Sequence, residues 1–325
     1  MTLRGMFSDF GSIPAYRALP KTLRIGLLQS TMIWNSLLVD IPDEPGLRSE
    51  ISAYLKCLKD GIDAYSERNF VYVIAIRPRV RILEKPRYRW FAGDLIVSVA
   101  ISNDKHREKI VVPASYFFAH GLGYRPAVTF TSRMITFDGE NVKLSIPVHT
   151  LLLDVQVNLG LNSEVTYVGR TEKPGARVIN GDHRGLSDTL TIALERQDDV
   201  FLFSNMFHAR HHSSTPDGDM VFIVSNSLTD EIAIEPETDL VEKLLIYYFD
   251  TVTQKKTRRG ELGALRNMLT KLRDEKHISA VEMSFEVDDP SEYFRFGNAQ
   301  VAYSHRHAFV CELVDNELSC KVLPI

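Results

Sequence analysis

The sequence contains few cysteines and no long apolar run. Its 325 residues include three cysteines, Cys57, Cys311 and Cys320, and no two of them form a Cys-x-x-Cys pair. Because their number is odd and their spacings are wide, the sequence predicts neither a zinc ribbon nor a disulfide framework, and a reducing, cytoplasmic compartment is expected. No stretch approaches the roughly 20 apolar residues that cross a bilayer, and residues 1–20 contain no apolar signal-peptide segment. We therefore expect no membrane partner.

An excess of positive charge is also absent. The formal net charge is -4 and the sequence pI is about 6.2. These values exclude a protein that coats nucleic acid through its bulk charge, so any nucleic-acid contact must come from a local patch. The sequence has no repeat of fixed period and no low-complexity tract. With 44% hydrophobic and 25% charged residues, it has the composition of a globular protein and is long enough for two domains.

The order of the predicted elements in the first half favours an α+β fold. The apolar pattern of residues 22–38 fits either an alternating strand or a buried helix. Apolar residues then recur at helical spacing from Leu47 to Asn69. Strand patterns follow without intervening helical periods, over residues 70–76, 90–101, 109–112, 127–131, 134–137 and 142–144. The Asp138-Gly139 dipeptide predicts a hairpin turn. Strands in such succession are typical of antiparallel or mixed β regions rather than of a βαβ array.

The second half predicts a hairpin followed by alternating helices and strands. Residues 149–157 are nearly continuous Leu and Val, as expected of a strand buried on both faces. The short polar link 158–163 joins them to the β-compatible run 164–168. The later predicted elements are helices over 186–194, 239–249 and 260–275, and strands over 200–206, 220–225, 280–287, 308–314 and 318–323. We divide the chain into an N-terminal α+β region (1–147), a central module (148–260), and a C-terminal helix with strands (261–325) that can pack with the N-terminal region.

Three polar features allow more than one interpretation. Arginine and lysine alternate with apolar residues over residues 77–89, here called the arginine stripe, which could bind a phosphate backbone or form an exposed hairpin face. His208, His211 and His212 could hold a metal ion or could belong to a polar strand end. Glu242 projects from an apolar helix pattern, so its carboxylate must either reach solvent or hold a cation.

A further cationic stretch runs from Thr166 to His183. It places Arg170, Lys173, Arg177 and His183 on a strand end, a turn and a short helix-like piece. Guanidinium, ammonium and imidazole groups so arranged suit an anionic ligand, phosphate above all. The alternative is an ordinary turn with solvated charges.

The spacing of these residues resembles the GIY-YIG nuclease family. Tyr167-Val168-Gly169 is followed by Arg177 eight residues after the glycine, by His183 six residues further, and by Glu242 on a later helix. The resemblance covers residues 148–260, and the predicted order of hairpin, helix, strand and helix is that family's order. It implies a central GIY-YIG-like β-hairpin/α/β/α module.

The resemblance implies a metal-dependent endonuclease that hydrolyses nucleic-acid phosphodiesters with one divalent metal, Mg²⁺ or Mn²⁺. In that family's division of labour, Glu242 holds the metal and Arg177 steadies the scissile phosphate. Tyr167 and His183 position or deprotonate the attacking water. A metal ion and an arginine neutralise charge in the transition state, while a phenol or imidazole activates the water.

Arg170 and Lys173 complete the predicted site as substrate-binding residues. The expected partner is nucleic acid, with DNA preferred over RNA, and the expected context is phage, plasmid or defence. The sequence does not predict an oligomeric state.

Two departures from the family pattern keep a second function open. No Gly-Ile-Tyr stands in the preceding predicted strand, where the sequence reads Asp154-Val155-Gln156-Val157. The asparagine expected beyond the Glu242 helix is also missing, and Thr253 and Gln254 lie in that neighbourhood. The alternative is a catalytically degenerate GIY-YIG-like module that binds nucleic acid or a protein. An assembly protein that pairs strands between copies is a third hypothesis.

Overall fold

The computed structural model describes residues 4–36, 45–63, 70–102, 106–171, 184–254, 258–287 and 295–324. The α-helices of these residues are α1 (Pro14–Arg17), α2 (Pro45–Asp63), α3 (Ala114–Ala119), α4 (Val148–Asp154), α5 (Arg184–Arg196), α6 (Asn226–Thr229), α7 (Ile234–Phe249) and α8 (Arg258–Lys276). The strands are β1 (Lys21–Trp34), β2 (Phe70–Pro78), β3 (Val80–Ile82), β4 (Arg87–Tyr88), β5 (Leu95–Ile101), β6 (His106–Val112), β7 (Ala127–Phe130), β8 (Met134–Asp138), β9 (Lys143–Pro147), β10 (Asn162–Thr171), β11 (Asp198–Ser214), β12 (Val221–Ser225), β13 (Ile278–Glu286), β14 (Arg295–Gly297), β15 (Arg306–Val314) and β16 (Glu317–Val322). The predicted α+β class is confirmed.

A curled, mixed sheet of nine strands forms a half-barrel at the centre of the molecule. Its order is β14-β10-β2-β11-β1-β13-β15-β16, and β12 pairs with the far half of β11. The β1–β13 and β10–β14 pairs are parallel, and the other pairs are antiparallel. The ambiguous pattern over residues 22–38 is therefore a strand up to Trp34. All three sequence regions contribute strands to this sheet.

Strand β2 lies between β10 and β11 and is buried on both faces. Tyr72, Ile74 and Ile76 point to one face, where they pack with Leu186 of α5. The alternate residues of β2 point to the other face, in the core that also contains apolar side chains of α7 and α8. Since successive side chains of a strand alternate between faces, α5 covers one side of the sheet and α7 covers the other. No helix among the described residues is both long and apolar enough to cross a membrane.

The predicted strand over 149–157 is wrong, because the chain forms helix α4 there. Val148, Leu151 and Leu152 are buried at i, i+3 and i+4, which is the spacing of one helix face. A short apolar run cannot be assigned to strand or helix by its composition alone. Consequently the predicted hairpin with residues 164–168 does not form, and β10 pairs instead with β2, antiparallel.

The chain between β2 and β10 forms an insert with two small antiparallel sheets. Strands β3, β4 and β6 all pair with β5 in one sheet, and β7-β8-β9 form the other. The hairpin predicted at Asp138-Gly139 is confirmed, since Asp138 pairs with Lys143 and the Gly139 N–H donates to the Val142 carbonyl at 2.9 Å. Core residues of the insert and of the main sheet belong to one continuous cluster, so the insert is packed onto the sheet.

The arginine stripe does not form one exposed face. Arg77 is fully buried, and Arg81 donates two hydrogen bonds of 2.8 Å to the buried Asp199. Arg87 and Arg89, at the other end of the stripe, are exposed. The alternating pattern therefore divides between a buried ionic network and an exposed turn.

The three histidines lie within strand β11, which continues through them to Ser214. His211 is buried and its Nε2 is 3.0 Å from the Asn226 side-chain oxygen. Among the described residues, no group of three or more His, Cys, Asp or Glu side chains is arranged to hold a metal ion. The polar strand interpretation of this cluster fits the structure.

Candidate functional site at the end of strand β10

Strand β10 carries the candidate site residues on its two faces. The Tyr167 ring lies against α5, where a Cβ atom at Gly185 would overlap it. Arg170 points the opposite way and reaches acidic residues of α7. The alternation of side chains along a strand produces this separation, because positions 167 and 170 differ by an odd number. The site therefore has a tyrosine face and an acidic face, with one strand between them.

The tyrosine face contains a second tyrosine, Tyr72 of β2. Its ring stacks on that of Tyr167, with centroids 5.8 Å apart and an interplanar angle of 22°. Tyr72 is the register partner of Gly169. A Cβ atom at Gly169 would overlap the Tyr72 hydroxyl and lie 2.7 Å from Tyr167 Cε1. Gly169 thus leaves the space into which the Tyr72 phenol extends towards the end of β10.

Replacing Gly169 by alanine is expected to destabilise the fold and displace the tyrosine pair. Tyr72 is only 3% exposed and cannot move aside freely, so the overlap should lower the free energy of unfolding by about 1–3 kcal/mol. Gly263→Ala in α8 is the matched control, since nothing lies within 4 Å of the added Cβ. That control should be neutral or stabilising by up to about 1 kcal/mol through helix propensity. Urea unfolding measures both, and equal free energies would contradict the close packing at Gly169.

Gln254 fastens the turn after α7 to strand β10. The Val168 N–H donates to Gln254 Oε1 at 3.0 Å, and Gln254 Nε2 donates to the Val168 carbonyl at 2.9 Å. Thr251 also donates to Gln254 Oε1, at 2.6 Å. The carboxamide therefore pairs with the Val168 backbone as a neighbouring strand would, and it satisfies two buried polar groups. This contact fixes the position of α7 relative to β10.

On the acidic face, Arg170 lies among three carboxylates of α7. Its Nε is 3.6 Å from Glu242 Oε2 and 3.7 Å from Asp239 Oδ1, and its Nη1 is 3.9 Å from Glu235 Oε1. The spacing i, i+4, i+7 places the three acids along one side of the helix. Lys243 bonds to Asp239 at 2.7 Å, and Glu242, 15% exposed, is the most buried acid of the three.

Glu242 combines burial with a raised pKa. Burial is the main cause and raises the pKa of Glu242 to about 7, with Asp239 and Glu261 adding to the shift and Lys243 and Arg170 opposing it. At neutral pH this carboxyl therefore lies near the midpoint between its protonated and ionised forms. A single carboxylate suits Mg²⁺ or Mn²⁺, because such ions keep several water ligands and use one or two protein carboxylates.

The raised pKa makes the effect of a metal ion depend on pH. Folded Glu242 binds its proton more tightly than the unfolded chain does, so ionisation lowers stability as pH rises from about 4.5 to about 7. Mn²⁺ should offset this loss above pH 7 and compete with the proton below it. We expect Mn²⁺ to raise the melting temperature more at pH 8 than at pH 5.5. Each kcal/mol that Mn²⁺ binding adds to the free energy of unfolding should raise the melting temperature by about 2–4 °C.

Calorimetry or thermal-shift measurement in matched buffers checks this expectation. Glu242→Gln should remove the Mn²⁺-dependent rise, while Glu261→Gln, from the same cluster, should keep it. An equal rise at both pH values, or in Glu242→Gln, would show that the ion binds elsewhere.

No protein-family model, curated protein or solved structure matches this chain. The chemistry of the site therefore rests on its own residues.

The structure brings together only part of the predicted constellation. Arg170 and Glu242 meet on the acidic face, whereas Tyr167 lies on the other face of β10. The predicted residues that fall outside the described residues are Lys173, Arg177 and His183. Arg170, predicted to bind substrate, contacts carboxylates.

Sequence reasoning missed Tyr72 and the role of Gln254. Tyr72 sits in an apolar run that reads as core, and its partner strand lies beyond the whole insert. The available signal was a tyrosine within the buried strand pattern of residues 70–76. For Gln254, the signal was a carboxamide just after a helix end, in place of the expected asparagine.

Proposed function

We propose that this protein is a metal-dependent, endonuclease-like protein that hydrolyses nucleic-acid phosphodiesters. The observation that carries the proposal is the register of β2 against β10. It sets Tyr72 opposite Gly169 with its phenol over the glycine, one residue before Arg170, which contacts Glu242. The two phenols therefore lie on one face of the end of β10, and the guanidinium and the partly buried carboxyl lie on the other. A carboxyl able to hold a divalent metal ion beside an arginine supports phosphodiester hydrolysis.

A GIY-YIG-like module that starts at β2 agrees better with these contacts than one that starts at residue 148. In this proposal β2 and β10 are the two strands of the hairpin, and the insert takes the place of a short turn. Helix α5, strand β11 and helix α7 then follow in the order expected of that family. Tyr72 supplies the tyrosine for which the sequence offered no counterpart. Gln254 supplies a carboxamide where an asparagine was expected.

Each residue of the site has a distinct task in the proposed reaction. Glu242 would hold the divalent metal ion, which would supply Lewis-acid stabilisation of the phosphate. Arg170 offers positive charge beside it, and charge neutralisation is the larger part of phosphodiester catalysis. The Tyr72 and Tyr167 phenols lie on the face of β10 opposite Glu242, so in this proposal they hold the strand end that carries Arg170 and do not touch the water at the metal.

The segment between Thr171 and Arg184 keeps its predicted roles in this proposal. The described residues on either side of it lie beside the tyrosine pair, since Gly169 packs against Tyr72 and Gly185 against Tyr167. Arg177 steadies the scissile phosphate, and Lys173 and His183 contribute to substrate binding and to activation of the water.

Incubation of the wild-type protein with nucleic acid tests the proposal. Supercoiled plasmid, single-stranded DNA and RNA are each mixed with protein in Mg²⁺, in Mn²⁺ and in EDTA. We expect nicked or linear plasmid, or shortened single strands, in the presence of metal only. Absence of turnover on all three substrates in both metals would remove the hydrolase assignment.

Binding without cleavage is the second candidate function. Tyr72 is only 3% exposed, and Tyr167 is separated from Glu242 by the strand itself, which favours a scaffold role for the tyrosine pair. Filter binding across a salt series separates the two functions. Salt-sensitive affinity without turnover in Mn²⁺ supports a binding module, whereas turnover supports the hydrolase.

A further inference from the structure

The turn between β4 and β5 exposes two adjacent large aromatic side chains. Trp90 is 82% exposed and Phe91 is 93% exposed. We call residues 87–94 the aromatic tip. Single exposed apolar side chains are common on protein surfaces, but two neighbouring aromatic residues left in water at one turn point to a partner.

The backbone of the aromatic tip is held in a fixed position by the neighbouring loop. Arg125 donates to the Arg89 carbonyl at 2.7 Å and to the Trp90 carbonyl at 2.5 Å. The Tyr124 ring packs on Gly93, where φ is +72° and an added Cβ would lie 2.6 Å from the ring. Glycine is favoured there for both reasons. The two aromatic side chains are therefore presented from a preorganised turn, which lowers the entropy lost on binding.

The charge around the aromatic tip is positive, in contrast to the rest of the chain. The aromatic tip contains two arginines and one aspartate, and Arg125 lies against its backbone, whereas the whole chain carries a net charge of -4. Arg87 and Arg89 are exposed beside Trp90, and Arg89 Nη1 is 3.7 Å from Asp94 Oδ2. The local surroundings thus complement a polyanion, and they supply the local basic patch that the bulk composition does not.

We propose that the aromatic tip binds single-stranded nucleic acid by stacking Trp90 and Phe91 on unpaired bases. Arg87 and Arg89 contact the adjacent phosphates. Aromatic faces beside cationic side chains are the general means of binding single strands without regard to sequence. The inference rests on the proposed function and specifies its substrate, which is a nucleic acid with an unpaired segment.

The topology connects the aromatic tip to the candidate site. The insert leaves the main sheet at the end of β2 and returns to it at β10, and these two strands carry Tyr72 and Tyr167. The insert shares its hydrophobic core with the main sheet. A nucleic-acid strand bound at the aromatic tip would therefore be bound to the same packed unit that carries the candidate site.

Tryptophan fluorescence tests the inference directly, because the chain has two tryptophans. Trp34 is 2% exposed and Trp90 is 82% exposed, so a ligand that reaches the surface reports through Trp90. The 325-residue protein in EDTA is titrated with an oligo-dT single strand, with a DNA duplex and with phosphatidylserine vesicles. We expect saturable quenching by the single strand, with weaker quenching by the duplex.

Variants then assign the effect to stacking. The double variant Trp90→Ala/Phe91→Ala should bind the single strand roughly ten- to a hundredfold more weakly in filter binding, the loss expected from one or two base stacks. Trp90→Phe keeps an aromatic face and should bind nearly as wild type. Leu194→Ala removes an apolar side chain that is 72% exposed on α5, and it should leave affinity unchanged.

Several outcomes would overturn the inference. These are the absence of quenching by oligo-dT, an unchanged affinity of the double variant, and quenching by vesicles but not by the single strand, which would assign the tip to a membrane. Comparison of this titration with a cleavage assay of the wild type separates the inference from hydrolysis. Quenching without cleavage by the wild type in Mn²⁺ would keep the tip and remove the nuclease, whereas cleavage without quenching would do the reverse.

Discussion

Glu242→Gln is expected to abolish metal-dependent cleavage, with a loss of at least about 10³-fold in rate. A bound metal ion stabilises transition-state charge by several kcal/mol, and each 1.36 kcal/mol corresponds to a factor of ten. Glutamine is nearly isosteric but neutral, so it cannot hold a divalent ion as a carboxylate does. Initial rates of plasmid nicking in Mg²⁺ and Mn²⁺ measure the effect.

The same substitution should not unfold the protein, which makes the loss of activity interpretable. Burial raises the pKa of Glu242 to about 7, so the ionised carboxylate destabilises the fold at pH 8 and the neutral amide does not. Without metal at pH 8, the variant should melt at the wild-type temperature or above it.

Glu261→Gln is the matched control for Glu242→Gln. Glu261 lies on α8, and its carboxylate is 3.2 Å from Lys243. Glu242 lies on α7, and its carboxylate is 3.6 Å from Arg170. This variant should keep cleavage within a few-fold of wild type. Wild-type rates for Glu242→Gln, or equal losses in both variants, would contradict a metal held by Glu242.

Asp199→Ala is expected to lower the free energy of unfolding by about 3–5 kcal/mol, because it leaves buried cationic and polar groups without their counter-charge. Asp199 accepts two hydrogen bonds of 2.8 Å from Arg81 and one of 3.0 Å from His149 Nε2–H. Its side chain is 1% exposed, and that of His149 is 0% exposed. The network joins the insert to the main sheet, since Arg81 lies in β3 and His149 in α4, both within the insert, whereas Asp199 lies in β11.

A surface pair supplies the control for Asp199→Ala. Arg196 donates to Glu164 Oε2 at 2.6 Å and 2.9 Å, with side chains 44% and 23% exposed. Glu164→Gln should change the free energy of unfolding by about 0–1 kcal/mol, as exposed ion pairs do. Urea unfolding at pH 7 measures both variants. An Asp199→Ala loss no larger than that of Glu164→Gln would mean that the buried network adds nothing.

The network also predicts the direction of acid sensitivity. Burial alone would raise the pKa of Asp199, but hydrogen bonds from His149 and Arg81 outweigh it and hold that pKa well below its usual range. Burial lowers the pKa of His149, so the folded imidazole stays neutral. Both groups bind protons more tightly in the unfolded chain. Their contributions are therefore complete above about pH 6.5 and decline as the pH falls, first through His149 and then, below about pH 4, through Asp199.

Local patterns in the sequence were sufficient for most helices and strands, but not for their pairing. The amphipathic period of residues 239–249 and 260–275 correctly located α7 and α8. Strand β11 was predicted to end at Met206, yet it runs to Ser214, because its histidine-rich half is paired by β1 and β12. A strand with polar side chains is difficult to recognise in the sequence, even when its backbone is hydrogen-bonded to neighbouring strands on both sides.

The candidate site depends on contacts that no local pattern contains. The β2–β10 pairing joins residues separated by the entire insert, so the sequence could not indicate that Tyr72 faces Gly169. The grouping of Arg170 with Glu242 required the position of α7, which Gln254 fixes through Val168. Short-range spacing suggested Tyr167, Arg170 and Glu242 individually, whereas their division between two faces of one strand emerges only from the fold.

The parallel pairing of β1 with β13 has a consequence for how the chain folds. Lys21 pairs with Ile278 across this ladder, and β1 also pairs with β11, so the centre of the half-barrel closes only after most of the chain has been synthesised. Closing loops of this length is entropically unfavourable, and non-local β pairing is accordingly slow. Until β13 arrives, the nascent β1 keeps an open hydrogen-bonding edge, and that edge is the place where an incomplete chain is most exposed to mispairing and aggregation.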